Sequence, residues 1–247
     1  MTLRPREREA QYRAYLFGPF RVFRDDQVIG QRGLRREKAL LLLKWFLLNP
    51  GRPCSVDQFI DIGWAHTTRE KAIGSLHVAM HCLRRMLEPD LPPGHESSFV
   101  HRSGSTFYRF EPSQQWWIDA DEVVSLFERA RASDLQGDSR CACFYYGRVV
   151  AHPLGRFLEE DDLLGPDLVS HQTRYEMLHA QSLMRLISLH LDRGETEECL
   201  EYAYQMLTVN PHNEIARSVL PEYLSARIGT APGYQRPHNS APQSAAS

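Results

Sequence analysis

The sequence predicts a mainly α-helical protein with two parts: a small β-sheet, three helices and a β-hairpin come first, and an all-helical repeat region follows. Three observations support this fold class. Strand-like segments at residues 15–29 and 98–111 flank three helix-like segments. Beyond residue 119, apolar residues recur at spacings of three and four. Two stretches within the second part also share one sequence pattern.

The chain begins with a predicted flexible segment and a small antiparallel sheet. Residues 1–14 are charged and aperiodic, so we expect them to be flexible. Residues 15–23, YLFGPFRVF, alternate well enough to form one strand. The polar run that starts at Asp25 then turns the chain, so that Val28 and Ile29 pair back on this strand.

Two helices follow the sheet. Residues 35–48, RREKALLLLKWFLL, are strongly helical, and this helix ends before Pro50 because the residue preceding a proline avoids the helical conformation. Ser55 and Gln58 have the spacing of a capping box, in which their side chains satisfy free backbone amides at the start of a helix. This box predicts a short second helix over residues 56–62.

A third helix and a hairpin complete the first part. Thr67 and Glu70 have the spacing of a second capping box, which opens a helix of about 20 residues ending at Leu87. Residues 98–111, SFVHRSGSTFYRFE, are expected to form two strands around a Ser-Gly-Ser turn. This order of elements predicts a winged helix-turn-helix domain over residues 15–112.

The second part, residues 113–228, is predicted to be a helical repeat domain. Its helices are expected over residues 119–135, 139–150, 168–192, 196–207 and 214–227. Two stretches each have a turn glycine, a small residue at a packing position (Ala142 or Cys199) and a closing proline. This pattern is typical of tetratricopeptide-like repeats, which present a groove to another protein. The Pro-, Ser- and Ala-rich residues 229–247 are expected to be disordered.

Charge differs between the two halves of the chain. Residues 1–110 contain 18 Lys and Arg against 11 Asp and Glu, a net charge of +7, whereas residues 111–247 contain 11 against 20, a net charge of −9. The first half therefore has the sign that suits a polyanion. The longest apolar run, residues 39–43, is far too short to span a membrane, and the five cysteines lack a paired spacing. We therefore expect a cytoplasmic protein with free thiols.

The third helix has the pattern of a base-reading helix. One apolar stripe should face the core: Ala72, Leu76, Ala79, Met80, Leu83 and Leu87. On the outer side, imidazoles can exchange hydrogen bonds with base edges and a valine can contact a thymine methyl. The base-reading candidates are Gly74, His77, Val78, His81 and Cys82. The candidates for the DNA backbone are Arg36, Lys71, Arg84, Arg85, Arg102, Ser103 and Thr106. An ordinary solvated face is the alternative interpretation.

Other kinds of site have less support. His77 and His81 have the spacing of a metal pair, but the sequence offers no evident third ligand, so no metal or other cofactor is expected. The four carboxylates at residues 159–162 are interpreted as a solvated loop. Trp116-Trp117 could stack a ligand or pack a seam between domains. No nucleophile triad or phosphate-binding loop indicates an enzyme.

Five segments together resemble the SARP family of bacterial transcriptional activators, the AfsR/DnrI/RedD-like regulators. These segments are LFGPFRVFRDDQVI, REKALLLLKWFLLNPGRPCSVDQFIDIGW, SLHVAMHCLRRML, FVHRSGSTFYRF and IDADEVVSLFERA. The resemblance covers residues 15–228 and implies an OmpR/PhoB-type winged helix joined to a helical bacterial transcriptional activation domain. The positions that match the family's recognition helix are Gly74, His77, Val78, His81, Cys82, Arg84 and Arg85.

The resemblance implies that the protein binds double-stranded DNA at promoter repeats, with possible self-association on the DNA, and recruits RNA polymerase through a sigma factor. Cys82 stands where the recognition helices of this family usually carry an arginine, and a cysteine cannot make a bidentate contact to guanine. The alternative function is therefore a protein-interaction adaptor whose winged helix no longer binds DNA. The salt dependence of DNA binding distinguishes the two functions.

Overall fold

A computed structural model describes residues 5–30, 34–104, 106–152, 157–158 and 165–220. The chain divides into two compact units, residues 1–179 and 180–247. The predicted fold class is confirmed, because strands and three helices come first and a run of helices follows. The division at residues 112 and 113, proposed from the sequence, stays a prediction.

The first sheet has four strands, and its last strand comes from far along the chain. Helix α1 (Pro5–Glu9) precedes strands β1 (Tyr12–Tyr15), β2 (Arg21–Arg24) and β3 (Gln27–Ile29). These three strands pair in antiparallel fashion, whereas β7 (Trp116–Ile118) lies parallel to β1. The predicted pairing of Val28 and Ile29 with the preceding strand is confirmed.

Two expectations for the N-terminal region differ from the structure. The single strand predicted over residues 15–23 is wrong: Gly18 has a left-handed φ of +78°, and Pro19 has no amide N–H, so the ladder is interrupted between β1 and β2. Residues 5–14, predicted to be flexible, contain α1 and most of β1, because β1 receives a strand partner on each side. Residues 1–4 lie outside the description.

The winged helix-turn-helix follows, with a second sheet around its helices. Its elements are α2 (Leu34–Leu48), β4 (Cys54–Ser55), α3 (Val56–Gly63), α4 (Arg69–Leu87), β5 (Val100–Ser103) and β6 (Phe107–Phe110). Strand β6 pairs with both β4 and β5. The short strand β4, which lies between α2 and α3, therefore joins the hairpin of β5 and β6 to form a three-stranded sheet. The hairpin of β5 and β6 is called the wing below.

Of the two predicted capping boxes, the structure contains the first. The amide of Gln58 donates to Ser55 Oγ at 3.1 Å, and the amide of Ser55 donates to Gln58 Oε1 at 2.9 Å, which confirms the start of α3. The second box is wrong, because Thr68 and not Thr67 occupies the N-cap position of α4, and the Thr68 side chain makes no capping hydrogen bond. With Thr68 as the cap, Glu70 lies one position too early to reach back to it.

The core of this domain lies between α4 and the two other helices. All six residues of the predicted apolar stripe of α4 are buried. Phe46 of α2 packs against Phe59 of α3 and Phe110 of β6, with ring centroids 5.3 Å and 5.8 Å apart. Each fully buried side chain of this size contributes roughly 1.5–3 kcal/mol of transfer free energy. This burial fixes α4 in rotation about its axis, which decides the side that faces outward.

The remaining helices confirm the predicted repeat. They are α5 (Asp119–Leu135), α6 (Ser139–Val150), α7 (Gly165–Asp192) and α8 (Thr196–Val209), and residues 214–220 are also helical. Gly137 and Gly194 have φ values of +76° and +70°, as required of the turn between paired helices, and Ala142 and Cys199 are fully buried. The carboxylates at residues 159–162, the proline at position 221 and the tail at residues 229–247 lie outside the described residues.

A buried carboxylate joins the first sheet to α5. Asp119 follows β7 and accepts hydrogen bonds from the amides of Leu16 at 2.9 Å and Phe17 at 3.1 Å. Burial raises the pKa of Asp119 from its ordinary value of 3.8 to about 7, against the opposing effect of these amides. The connection between β1 and β2 is thereby held at the N-terminus of α5. Among the helices described, none is long and apolar enough to cross a membrane.

Candidate nucleic-acid interface

The outer face of α4 carries most of the predicted base-reading residues in accessible positions. Gly74, His77, Val78 and His81 are exposed, and Cys82 is half-buried. Val78 is 50% exposed, which is unusual for an aliphatic side chain on an otherwise polar face. A hydrogen-bonding surface with one apolar contact point is the composition that suits the edges of base pairs.

Contacts at the N-terminal half of α4 hold this face in position. The indole N–H of Trp64 donates to Ser75 Oγ at 2.8 Å, which joins the end of α3 to α4. Arg69, the first residue of α4, forms an ion pair with Asp57 of α3. Both groups of this pair are exposed, so its contribution to the free energy of unfolding is small. The angle between α3 and α4 therefore depends mainly on the buried stripe and on the Trp64 contact.

The two arginines at the end of α4 bond to the protein backbone. Arg84 is half-buried, and its Nη2 donates to the carbonyl oxygen of Val100 at 3.0 Å. Arg85 is exposed, and its Nη1 donates to the carbonyl oxygens of Pro89 at 3.0 Å and Leu91 at 2.7 Å. Their side chains thus support the wing and the loop after α4, and they have fewer donors to offer a phosphate than exposure alone suggests.

The other residues predicted to contact the DNA backbone lie on α4, on the wing and on α2. Lys71 is exposed on the first turn of α4. On the wing, Ser103 and Thr106 are exposed, and the Arg102 guanidinium lies 5.8 Å from the ring centroid of Tyr108. Arg36 belongs to α2, but its side chain lies outside the described part of the chain.

Two further wing residues were not assigned to the site from the sequence. Phe107 is 44% exposed, and Arg109 is also exposed and forms an ion pair of 3.0 Å with Glu111. Both lie on the outer face of β6, whereas Tyr108 and Phe110 are buried. The alternation of side chains along a strand predicts that Phe107 and Arg109 share one face. The sequence does not show which face of the strand packs against the core, so it does not show that these two residues are exposed.

The predicted histidine pair does not belong to a metal cluster. Within the described ranges, no group of three or more His, Cys, Asp or Glu side chains could hold a metal ion. His77 and His81 lie on the exposed face of α4 beside Val78. This position suits contact with a macromolecule better than enclosure of an ion.

The arrangement of helices and strands is similar to that of a solved structure. It is that of EmbR from Mycobacterium tuberculosis in complex with a low-affinity phosphopeptide, with a TM-score of 0.70 and 18% sequence identity. The match covers 90% of this chain and 57% of that chain.

This chain has a SARP-like fold. At 18% identity the likeness shows the fold alone, and it agrees with the SARP resemblance of the five sequence segments. The chain spans little more than half of the EmbR chain, so the activity and partners of the whole EmbR protein are not transferred by the match. No family model and no curated protein matches this chain.

Proposed function

We propose that the protein is a cytoplasmic, sequence-specific DNA-binding transcriptional regulator, and that it activates transcription. Helix α4 enters the major groove of double-stranded DNA, and the wing contacts the adjacent backbone. An α-helix with its side chains is about 10–12 Å in diameter, and the major groove of B-DNA is about 12 Å wide. This geometry allows the outer face of α4 to meet the base edges.

The outer face of α4 is the observation that carries this proposal. The stripe from Ala72 to Leu87 is buried in the domain, while Gly74, His77, Val78 and His81 project on the opposite side. Gly74 has open space where a side chain would be, which permits close approach of the helix backbone to DNA. In this proposal the imidazoles bond base edges and Val78 contacts a thymine methyl.

In this proposal, α4 and the wing both contribute contacts to the DNA backbone. Lys71 lies on α4, and Arg102, Ser103 and Thr106 lie on the wing, so they would contact phosphates on different sides of α4. Arg36, Arg84 and Arg85 remain candidates, although the bonds of Arg84 and Arg85 to backbone carbonyls give these two a structural role as well.

Activation is assigned to the helical repeats. In this proposal the protein binds promoter repeats, can self-associate there, and recruits RNA polymerase through a sigma factor. The SARP-like fold and the acidic charge of residues 111–247 support this assignment, because an acidic surface does not compete for the same DNA.

Selection of DNA by the purified full chain tests the proposal. Genomic fragments retained by the protein at low salt are sequenced, and the affinity for the enriched sequence is measured by fluorescence anisotropy. The variant carrying His77→Ala and His81→Ala should lose about 1–3 kcal/mol of discrimination per base pair read. His212→Ala, an exposed histidine of the second unit, is the control. Absence of any sequence preference in the wild-type protein would exclude the proposal.

A protein-interaction adaptor is the second candidate. It is favoured by the backbone bonds of Arg84 and Arg85 and by the half-buried Cys82, which together leave few strong donors at the C-terminal end of α4. If the protein ignores its own upstream DNA at low salt but retains a protein partner through the repeats, the adaptor is the correct function.

A further inference from the structure

We propose that Phe107, at the tip of the wing, enters the minor groove of DNA as a wedge and partly unstacks one base step. This inference rests on the proposed DNA-binding function, and it adds a residue that selects DNA by its flexibility. Phe107 is the first residue of β6 and directly follows the connection between the two strands of the wing. Apolar side chains, phenylalanine among them, act as such wedges in proteins that kink DNA from the minor groove.

The Phe107 ring differs from the other rings of β6. It is 44% exposed, whereas Tyr108 and Phe110 are buried and contact Phe59 and Phe46 of the domain core. Within the residues that the structure describes, no ring contact involves Phe107. Because burial of an aromatic ring is favourable, this side chain gains free energy when a binding partner covers it.

The residues beside Phe107 leave its ring projecting from a fixed position. Phe107 pairs with Ser103 of β5 and with Ser55 of β4, so the residues directly opposite it on the same face have short side chains. The carbonyl oxygen of Thr106 accepts a hydrogen bond of 2.8 Å from the amide of Val56, which holds the tip on the start of α3. The ring is therefore presented by ordered backbone, with little bulk around it.

The charge of the wing indicates DNA as the partner that covers this ring. Residues 100–110 contain two arginines, one histidine and no Asp or Glu. Arg109 pairs with Glu111, so Arg102, which is exposed next to the turn, carries the positive charge of the tip. Phosphates line both edges of the minor groove, and a cation beside an apolar wedge suits this arrangement.

A wedge predicts a sequence preference that no hydrogen bond to a base explains. The pyrimidine–purine steps TA and CA/TG are the most easily unstacked. We therefore expect one such step at a fixed distance from the bases read by α4. Exchange of this step for a stiff AA step should weaken binding of the wild-type protein by roughly tenfold, because unstacking then costs more.

Fluorescence of aminopurine in the DNA selected by the full chain tests the wedge. This adenine analogue brightens when it is unstacked, and it replaces each adenine of the site and its flanks in turn. The wild-type protein should raise the fluorescence about twofold or more at one pyrimidine–purine step. Phe107→Ala should abolish the rise, and Phe107→Leu should retain part of it, because leucine also acts as a wedge. Phe144→Ala, which removes a ring that is 58% exposed on α6, is the matched control and should retain the full rise.

A second change in the DNA shows which groove the ring enters. Diaminopurine in place of the adenine of that step adds an amino group to the minor groove and leaves the major groove unchanged. It should weaken binding of the wild-type protein about tenfold and binding of Phe107→Ala less than about twofold. Equal losses in the two proteins would contradict entry from the minor groove.

The outcomes separate this inference from the proposed function. If the wild-type protein shows no sequence preference, the proposed function fails and the wedge fails with it. If it binds its selected DNA but no aminopurine brightens, or if the rise survives Phe107→Ala, DNA binding stands and the wedge is wrong. Loss of a protein partner in Phe107→Ala with unchanged DNA binding would assign the ring to a protein contact instead. Circular dichroism checks each variant, and Phe107→Thr, which favours a strand, replaces Phe107→Ala if that variant is unfolded.

Discussion

The guanidinium of Arg84 donates a hydrogen bond of 3.0 Å to the carbonyl oxygen of Val100, which joins the last turns of α4 to the first strand of the wing. The two elements proposed to contact DNA are therefore coupled through one side chain. The wing cannot shift relative to α4 without breaking this bond. This coupling distinguishes Arg84 from the exposed cations around it.

Arg84→Ala is expected to lower the free energy of unfolding measurably. Its effect on the salt dependence of DNA binding should be small, because the guanidinium bonds to the protein backbone. Removing the guanidinium leaves the Val100 carbonyl without this donor, which should reduce the free energy of unfolding by about 1–2 kcal/mol. Urea denaturation monitored by circular dichroism measures the change. Lys71→Ala, at an exposed position of the same helix, is the control and should be neutral within about 0.5 kcal/mol.

Arg102→Ala should show the opposite behaviour. Arg102 is exposed on the wing, so its loss should leave the free energy of unfolding nearly unchanged. If it neutralises one phosphate, the slope of log affinity against log salt concentration should become shallower by about one unit. Anisotropy titrations at several salt concentrations measure the slope. An unchanged slope would remove Arg102 from the proposed interface.

Val78→Ala is expected to change sequence preference without changing the salt slope. Loss of the contact with a thymine methyl should reduce affinity for the selected sequence by about 1 kcal/mol and leave affinity for unrelated DNA unaltered. Val169→Ala, which removes an aliphatic side chain that is 60% exposed on α7, is the matched control. Equal losses on selected and unrelated DNA would contradict a role in base reading.

Tyr12→Phe should destabilise the first unit. The buried hydroxyl of Tyr12 donates to the carbonyl oxygen of Leu87 at 2.7 Å and joins β1 to the end of α4. Its removal leaves that carbonyl without this partner and should lower the free energy of unfolding by about 1–3 kcal/mol. Tyr145→Phe, at a half-exposed position of α6, should have little effect. Similar values for both variants in urea denaturation would contradict the role of this bond.

Asp119 predicts a pH dependence of stability. Its pKa is 3.8 in an ordinary environment and about 7 in the folded protein, so the folded chain binds the extra proton between these values. The free energy of unfolding of the wild-type protein, relative to Asp119→Asn, should therefore fall as pH rises from about 4 to about 7. The slope should approach 1.4 kcal/mol per pH unit.

Urea denaturation of both proteins at several pH values measures this difference. The asparagine side chain does not titrate, so any other change that the substitution makes should offset the two curves by a constant. A difference that does not vary with pH would mean that Asp119 keeps an ordinary pKa despite its burial.

Much of the first domain follows from local pattern. The apolar stripe from Ala72 to Leu87 determines which side of α4 is buried, and this prediction needed no knowledge of the partners of α4. Likewise Ser55 and Gln58 stabilise the start of α3 through groups three residues apart. The turn glycines and buried small residues of the repeat are also local features, so they could be read directly from the sequence.

Tertiary structure alone decided the features that depend on distant partners. Strands β4 and β7 have two and three residues, too few to show a period of two, and they exist because β6 and β1 supply their hydrogen bonds. Thr68 rather than Thr67 occupies the N-cap position of α4. The two threonines are adjacent, and sequence spacing alone does not decide between helix starts that differ by one residue.

The same limit applies to the candidate sites. The sequence by itself determined that imidazoles and cations lie on the outer side of α4, because helical periodicity places them there. It did not determine that Arg84 bonds to Val100, nor that the Phe107 ring is exposed at the tip of the wing. A side chain's partner depends on which elements pack beside it, and residues far apart in the chain meet only when the whole domain folds.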